Sequence, residues 1–164
     1  MSGEAALTKI KLRAKAWLTG QILSGVAIHI DRALDQPFQE AETPCVNLRI
    51  PFTQYSIQGY SSGHMHDAAI HFDLLSASMA SATIDESQAE MAADIAARMG
   101  NLDAVPGNLG ELLQAGSCEP ISSGVQNDDF NLSDIGVVTL AYRLVWITPI
   151  NDFRTIAGQN GLVP

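Results

Sequence analysis

Two histidines one residue apart, His64 and His66, form the pattern in this chain that most suggests chemistry. On a strand, residues two apart share a face, so both imidazoles would point the same way, a spacing that can chelate a divalent metal. His29, Asp67 and Asp73 are the further ligands on offer, but Asp67, His71 and Asp73 fall on the opposite face of a regular strand. A third ligand would have to come from elsewhere. The plainer explanation is a polar, exposed start to a hairpin strand, and we expect neither metal nor other cofactor. Gly59-Tyr60-Ser61-Ser62-Gly63 fits G-x-S-x-G, in which a hydrolase serine sits at a tight strand-to-helix turn. The context fails: residues after Gly63 alternate like a strand, no histidine follows His71, and 164 residues are few for that fold. Small residues in a hairpin loop account for the same letters. There is no glycine-rich phosphate loop, no GxGxxG and no HExxH. These exclusions predict a protein that is not an enzyme, the alternative being a small metal-dependent enzyme built on His64 and His66.

The elements that must position these residues follow from periodicity. Thr8 to Leu23 has 3/4 spacing at Ile10, Ala14, Trp17 and Leu18, which predicts a helix, and Val26, Ile28 and Ile30 then alternate as a half-buried strand. Asp35 to Pro44, with two prolines and three acids, reads as a loop. Segments 45–58 and 64–76 alternate on either side of a glycine- and serine-rich turn and predict a long hairpin, with Pro51 marking an edge or bulge. Thr83 to Gly100 is a capped helix with Ile84, Met91, Ile95 and Met99 on its inner face. A short helix within Val105 to Gln114 and a weak strand from Cys118 to Gln126 precede the final run, Val137 to Pro149. That run is apolar on both faces and longer than a core of this size requires, so part of it is expected to meet a second chain. The sum is α+β, a mainly antiparallel sheet with a long hairpin and helices packed on one face. Residues 1–150 form the domain; 151–164, with few anchors, are expected to be an extension or arm that orders against a neighbour.

Composition narrows the partners. With 9 Lys and Arg against 18 Asp and Glu the chain carries −9, unlike a surface that grips nucleic acid by neutralising phosphates. No stretch of about 18 apolar residues suggests a membrane span, and the N-terminal residues lack a signal-peptide core, so a soluble, unsecreted protein is expected. Cys45 and Cys118 have neither metal-ligand nor CxxC spacing and read as free thiols. Between positions 67 and 134 there are 12 acids and one base, Arg98, whereas Lys9, Lys11, Arg13 and Lys15 cluster near the start. Such separation either solubilises or provides complementary faces for an oligomer or partner.

Three stretches stand out in order along the chain: Val26-Ala27-Ile28-His29-Ile30-Asp31-Arg32 after an N-terminal helix, Thr43-Pro44-Cys45-Val46-Asn47-Leu48 opening a long hairpin, and Gly136 to Ile147 closing the domain after an acidic loop. Together with the order of elements they resemble the tail-terminator and minor-tail proteins of long-tailed bacteriophages. The helix Asp85 to Met99 between them also matches, so the likeness spans roughly 8–149 and rests on pattern rather than on an invariant motif. It implies a structural virion subunit, assembled in the host cytoplasm and resident at the neck of the tail. Such a subunit forms a homohexameric ring that caps the tail tube, ends its polymerisation and joins it to head-completion or neck proteins. Another neck or tail-tube subunit is the alternative. DNA would pass through the ring without being specifically bound, and Asp128, Asp129 and Asp134 are the expected lumen residues, because negative charge repels phosphates. Tyr60, Ser61, Ser62, Phe153 and Arg154 are the expected contacts with a neighbouring subunit or partner, since the hairpin loop and the tail look extended and poorly anchored.

Overall fold

The computed structural model describes residues 4–22, 26–32, 38–51, 55–60, 63–77, 83–125 and 135–164. Its spine is a pair of 15-residue strands, β4 (Gly63–Ala77) and β6 (Ile135–Pro149), antiparallel and in register from Gly63 opposite Pro149 to Ala77 opposite Ile135. On the other side of β4 lie two strands end to end: β2 (Cys45–Arg49) pairs with residues 71–75 and β3 (Tyr55–Tyr60) with residues 63–68. This is the expected long hairpin, interrupted beside Pro51. β1 (Ala27–Ile30) adds parallel to β2, and β5 (Pro120–Val125) adds antiparallel to β6, giving the order β1-β2-β4-β6-β5. The fold is α+β, and its sheet is mostly antiparallel.

Alternation then sorts the side chains. Ala68, Ile70, Phe72 and Leu74 of β4, Tyr142, Leu144 and Trp146 of β6, and Val46 and Leu48 of β2 share one face and are buried in one cluster. Onto this face pack α1 (Ala6–Leu18) through Ala6, Ile10, Ala14 and Leu18, α2 (Ile84–Met99) through Met91, Ile95 and Met99, and α3 (Leu109–Leu112) through Leu109 and Leu112. α2 starts where its sequence dictates: the Glu86 N–H donates to Thr83 Oγ1 (3.2 Å) and the Thr83 N–H to Glu86 Oε2 (2.8 Å), a reciprocal cap. Gly136 lets α2 approach β6, since a Cβ there would lie 2.6 Å from Ile84 Cγ2.

The opposite face is polar along its middle. Asp73 is 1% exposed and accepts from Arg49 Nε (2.6 Å), Arg49 Nη2 (3.0 Å) and Thr139 Oγ1 (2.7 Å). Asp67 accepts a two-pronged contact from Arg143, 2.5 Å from Nη2 and 3.0 Å from Nε. A second, smaller cluster of Phe38, Cys45, Leu75 and Val137 covers one end of this face.

β4 matches the final strand residue for residue, so the whole length of β6 is paired along that edge within the chain. One expectation is corrected. The tail is not a loose arm. β7 (Ile156–Gly158) and β8 (Gly161–Val163) form a small hairpin docked on the body, with Ile156 fully buried in the main core. The Ala6 N–H donates to the Phe153 carbonyl (2.8 Å), Gln159 N–H to the Glu111 carbonyl (2.9 Å), and Gln114 Nε2 to the Ala157 carbonyl (2.9 Å). The tail lacks a long apolar run, so its anchoring by one isoleucine and main-chain bonds left little trace in the pattern.

Truncation after Asp152 is therefore expected to destabilise the domain itself, and Ile156→Ala alone to cost about 3 kcal/mol by leaving a core cavity. Urea melts measure both; an unchanged midpoint would return the tail to the status of an arm. Asp73→Ala, which strands Arg49 and Thr139, is expected to cost about 3 kcal/mol in the same assay, because breaking a buried ion pair leaves its partner uncompensated.

Candidate functional site

Among the described residues, His64, His66, Tyr60 and Phe153 come together at the end of the sheet formed by β3, the start of β4, the end of β6 and the tail. His64 and His66 do share a face, here with Trp146 and Thr148 of β6, their partners across the ladder. Tyr55 of β3 joins them, and Phe153 of the tail lies over both: its ring stacks on His64 at 5.2 Å and meets His66 edge-on at 5.5 Å.

His66 is 1% exposed and spent. Its Nδ1 shares a hydrogen bond with Tyr55 Oη (2.7 Å) and its Nε2 with Thr148 Oγ1 (2.8 Å), one nitrogen donating and the other accepting in the neutral ring. Its face stacks on Trp146 at 5.0 Å, nearly parallel, and Tyr55 meets the same indole edge-on at 5.6 Å. Burial, with a smaller push from His64, lowers the His66 pKa to about 4. A neutral imidazole with both nitrogens bonded and no path to solvent can neither bind a metal nor exchange protons with a substrate without first breaking that clasp. It can hold three strands and the tail together. The cluster carries one unfavourable feature: the buried Trp146 indole N–H has no acceptor among the described residues.

The other candidate ligands lie elsewhere. His29 is on the opposite face, edge-on to Phe38 at 5.6 Å, while Asp67 and Asp73 are on that same face and bound to Arg143 and Arg49. No group of three His, Cys, Asp or Glu side chains among the described residues is placed to hold an ion. Both cysteines are free, with the thiols pushed up by burial to about 11 at Cys45 and about 12 at Cys118.

Of the expected contact residues, Tyr60 ends β3 opposite Gly63, and Phe153 is 46% exposed beside His64. Arg154 turns its carbonyl to Lys9 Nζ (2.7 Å). Ser61, Ser62, Asp128, Asp129 and Asp134 lie outside the described residues. Sequence reasoning missed Tyr55, Trp146 and Thr148, because only the β4–β6 and β3–β4 registers bring them to His66.

What this end of the sheet presents outward is a strand edge. Ser56, Ile57, Gln58 and Gly59 are all exposed, and β3 is hydrogen-bonded on one side only among the described residues. Its sequence, Tyr-Ser-Ile-Gln-Gly-Tyr, has no charge and no proline. Native edges are commonly guarded by such residues, and the stretch Ser56 to Gly59 carries none of them. Three of the four bases near the start are used within the chain: Lys11 pairs with Asp31 (2.5 Å), Arg13 with Glu111 (3.4 Å), and Lys9 with the Arg154 carbonyl.

The clasp has a pH signature. With the folded-state pKa of His66 near 4, below the ordinary value of 6.5, the unfolded chain takes up its proton first as pH falls. Stability is full above pH 6.5 and drains away toward pH 4, about 2 kcal/mol of it by pH 5. His29 and His71, also lowered by burial, act in the same direction. His66→Gln is expected to flatten the slope of melting temperature between pH 7 and 5 relative to the parent; equal slopes would deny the clasp its buried neutral histidine.

No protein-family model matches the chain, and no curated protein matches it.

Proposed function

We propose that this chain is a structural subunit of a long-tailed bacteriophage, a tail terminator that assembles into a ring, caps the tail tube, ends its polymerisation and offers its other face to neck proteins. The observation that carries the reading is the exposed, uncharged stretch Ser56 to Gly59 of β3, beside a His66 whose two ring nitrogens are both bonded within the fold. A catalyst needs accessible groups with unspent hydrogen-bonding capacity, whereas an assembling subunit needs a rigid surface with unspent main-chain bonds. The net charge of −9 suits a ring through which DNA slides without being held, with Asp128, Asp129 and Asp134 as the proposed lumen residues. The alternative enzyme built on His64 and His66 loses support because both His66 nitrogens are already bonded.

Native mass spectrometry over a concentration series, followed by addition of the protein to polymerising tail tubes, tests the proposal. The expected outcome is a metal-free species of six chains, about 105 kDa from subunits of 17.5 kDa, that fixes tube length at a low molar ratio. Open-ended growth of the chain itself would make it a tube subunit. A monomer without effect on tubes would sink the reading.

A further inference from the structure

Of the asparagines in this chain, only Asn160 is followed by glycine; Asn47, Asn101, Asn108 and Asn131 precede leucine, and Asn127 and Asn151 precede aspartate. The difference is chemical. The main-chain nitrogen after an asparagine can attack that asparagine's own side-chain amide carbon and close a succinimide ring, and a side chain on the following residue obstructs the approach. Glycine has none, and it turns freely into the conformations the attack needs. The fold puts Asn160 and Gly161 at the turn between β7 and β8, where both are exposed. Gly161 sits at φ +124°, and nothing lies within 4 Å of the place a Cβ would take, so water reaches this side of the turn.

That turn is also what docks the tip of the tail. Asn160 Nδ2 donates to the Ala104 carbonyl, the Gln159 N–H to the Glu111 carbonyl (2.9 Å), and Gln159 Nε2 to the carbonyls of Leu113 (2.9 Å) and Gly110 (3.2 Å). Gly158, beside them, runs so close to α3 that a Cβ would lie 2.5 Å from the Glu111 carbonyl oxygen. In each of these bonds the body supplies a main-chain carbonyl, so the tail must supply an N–H. An ionised carboxylate at position 160 has no donor to offer. It would set negative charge against the Ala104 oxygen, in a chain already at −9.

We propose that Asn160-Gly161 is a self-modification site, at which the tip of the tail hairpin converts spontaneously to aspartate or isoaspartate, detaches from Ala104 and loosens β8. The Gly161 nitrogen attacks Asn160 Cγ: the N–Cγ bond forms, the Cγ–Nδ2 bond breaks, and Nδ2 leaves as ammonia with the proton that the Gly161 nitrogen gives up. Water then opens the succinimide. Cleavage at Cγ yields aspartate; cleavage at the main-chain carbonyl carbon yields isoaspartate, in which the chain runs through the former side chain and gains a methylene between β7 and β8. Either product lacks the donor to Ala104, and isoaspartate also disturbs the match of Gly158 with Gly161 that closes the hairpin. Ile156 in the core and the Gln159 bonds keep the base of the hairpin in place, so the loosening is local.

Ageing the full chain at mildly alkaline pH and weighing its digested peptides by mass spectrometry tests it. The Asn160 peptide is expected to be the first asparagine peptide to gain the mass of an amide-to-acid conversion, with ammonia released in equal amount, and to accept methyl groups from an isoaspartyl methyltransferase. Mildly acidic pH should slow the conversion, because the attacking nitrogen must lose its proton. Asn160→Gln, whose longer side chain closes a ring less readily, is expected to keep its mass over the same period. Hydrogen exchange at residues 161–163 should be about tenfold faster in the aged chain and in fresh Asn160→Asp than in the fresh parent, since an opened tip exchanges through a smaller local free energy. An Asn160 that stays intact in the folded chain, while the urea-unfolded chain converts there, would overturn the site. A converted chain whose β8 exchanges at the parental rate would overturn the loosening.

Discussion

The antiparallel pairing of β4 with β6 over 15 residues is the constraint on which everything else hangs. A slip of one residue would turn every side chain of one strand to the other face. It would carry Phe72, Leu74, Leu144 and Trp146 out of the core and drive Asp67, Asp73 or Arg143 into it. Hydrophobic pattern alone fixes register weakly here, because β6 is apolar on both faces. The polar face supplies the missing information: Asp73 sits directly opposite Thr139 and bonds to it, and Asp67 reaches Arg143 on the diagonal. A one-residue shift leaves these groups desolvated or unpaired, a penalty of the size attached to a broken buried ion pair. The buried carboxylate is thus better understood as a register device than as a source of net stability.

Charge has a similarly local use. The chain places four of its nine bases in α1 and most of its acids in the middle of the sequence, which invites a reading in terms of partners. In the folded chain, Lys11 and Arg13 meet Asp31 and Glu111, and Lys9 caps the start of the tail. Half-exposed pairs of this kind contribute about 0–1 kcal/mol each, so they orient α1 across the sheet more than they hold it there. The burial of Ile10, Ala14 and Leu18 does the holding.

How far the fold could be read in advance depended on whether the information was local. α2 was legible to within a residue or two, because Thr83 and Glu86 cap its start and Met91, Ile95 and Met99 mark its inner face. The hairpin was legible from alternation on both sides of Gly59 to Gly63, and its break from Pro51. The site was half legible: alternation put His64 and His66 on one face, but their partners Tyr55, Thr148 and Trp146 come from positions 11 residues before and some 80 residues after His66, and are matched to it only by register. The tail was misread for a related reason. One buried isoleucine and a few main-chain bonds make a docking site that no periodicity announces.

The His66 clasp and the open edge are parts of one arrangement. An exposed edge strand of six residues, with Ser56 to Gly59 in solvent on both faces, has little of its own to keep it on the sheet. It is held at both ends instead. Tyr55 is tied to the sheet through His66, Thr148 and Trp146. At the other end Tyr60 pairs with Gly63, whose backbone runs so close to β6 that a Cβ would lie 2.2 Å from the Thr148 carbonyl oxygen. Fixing the strand inside the folded chain means that the entropy of arranging β3 is met on folding, so the surface built on Ser56 to Gly59 is ordered in advance. This explains how a histidine that looks suited to chemistry comes to be buried with both ring nitrogens bonded: it ties the neighbouring strand to the sheet.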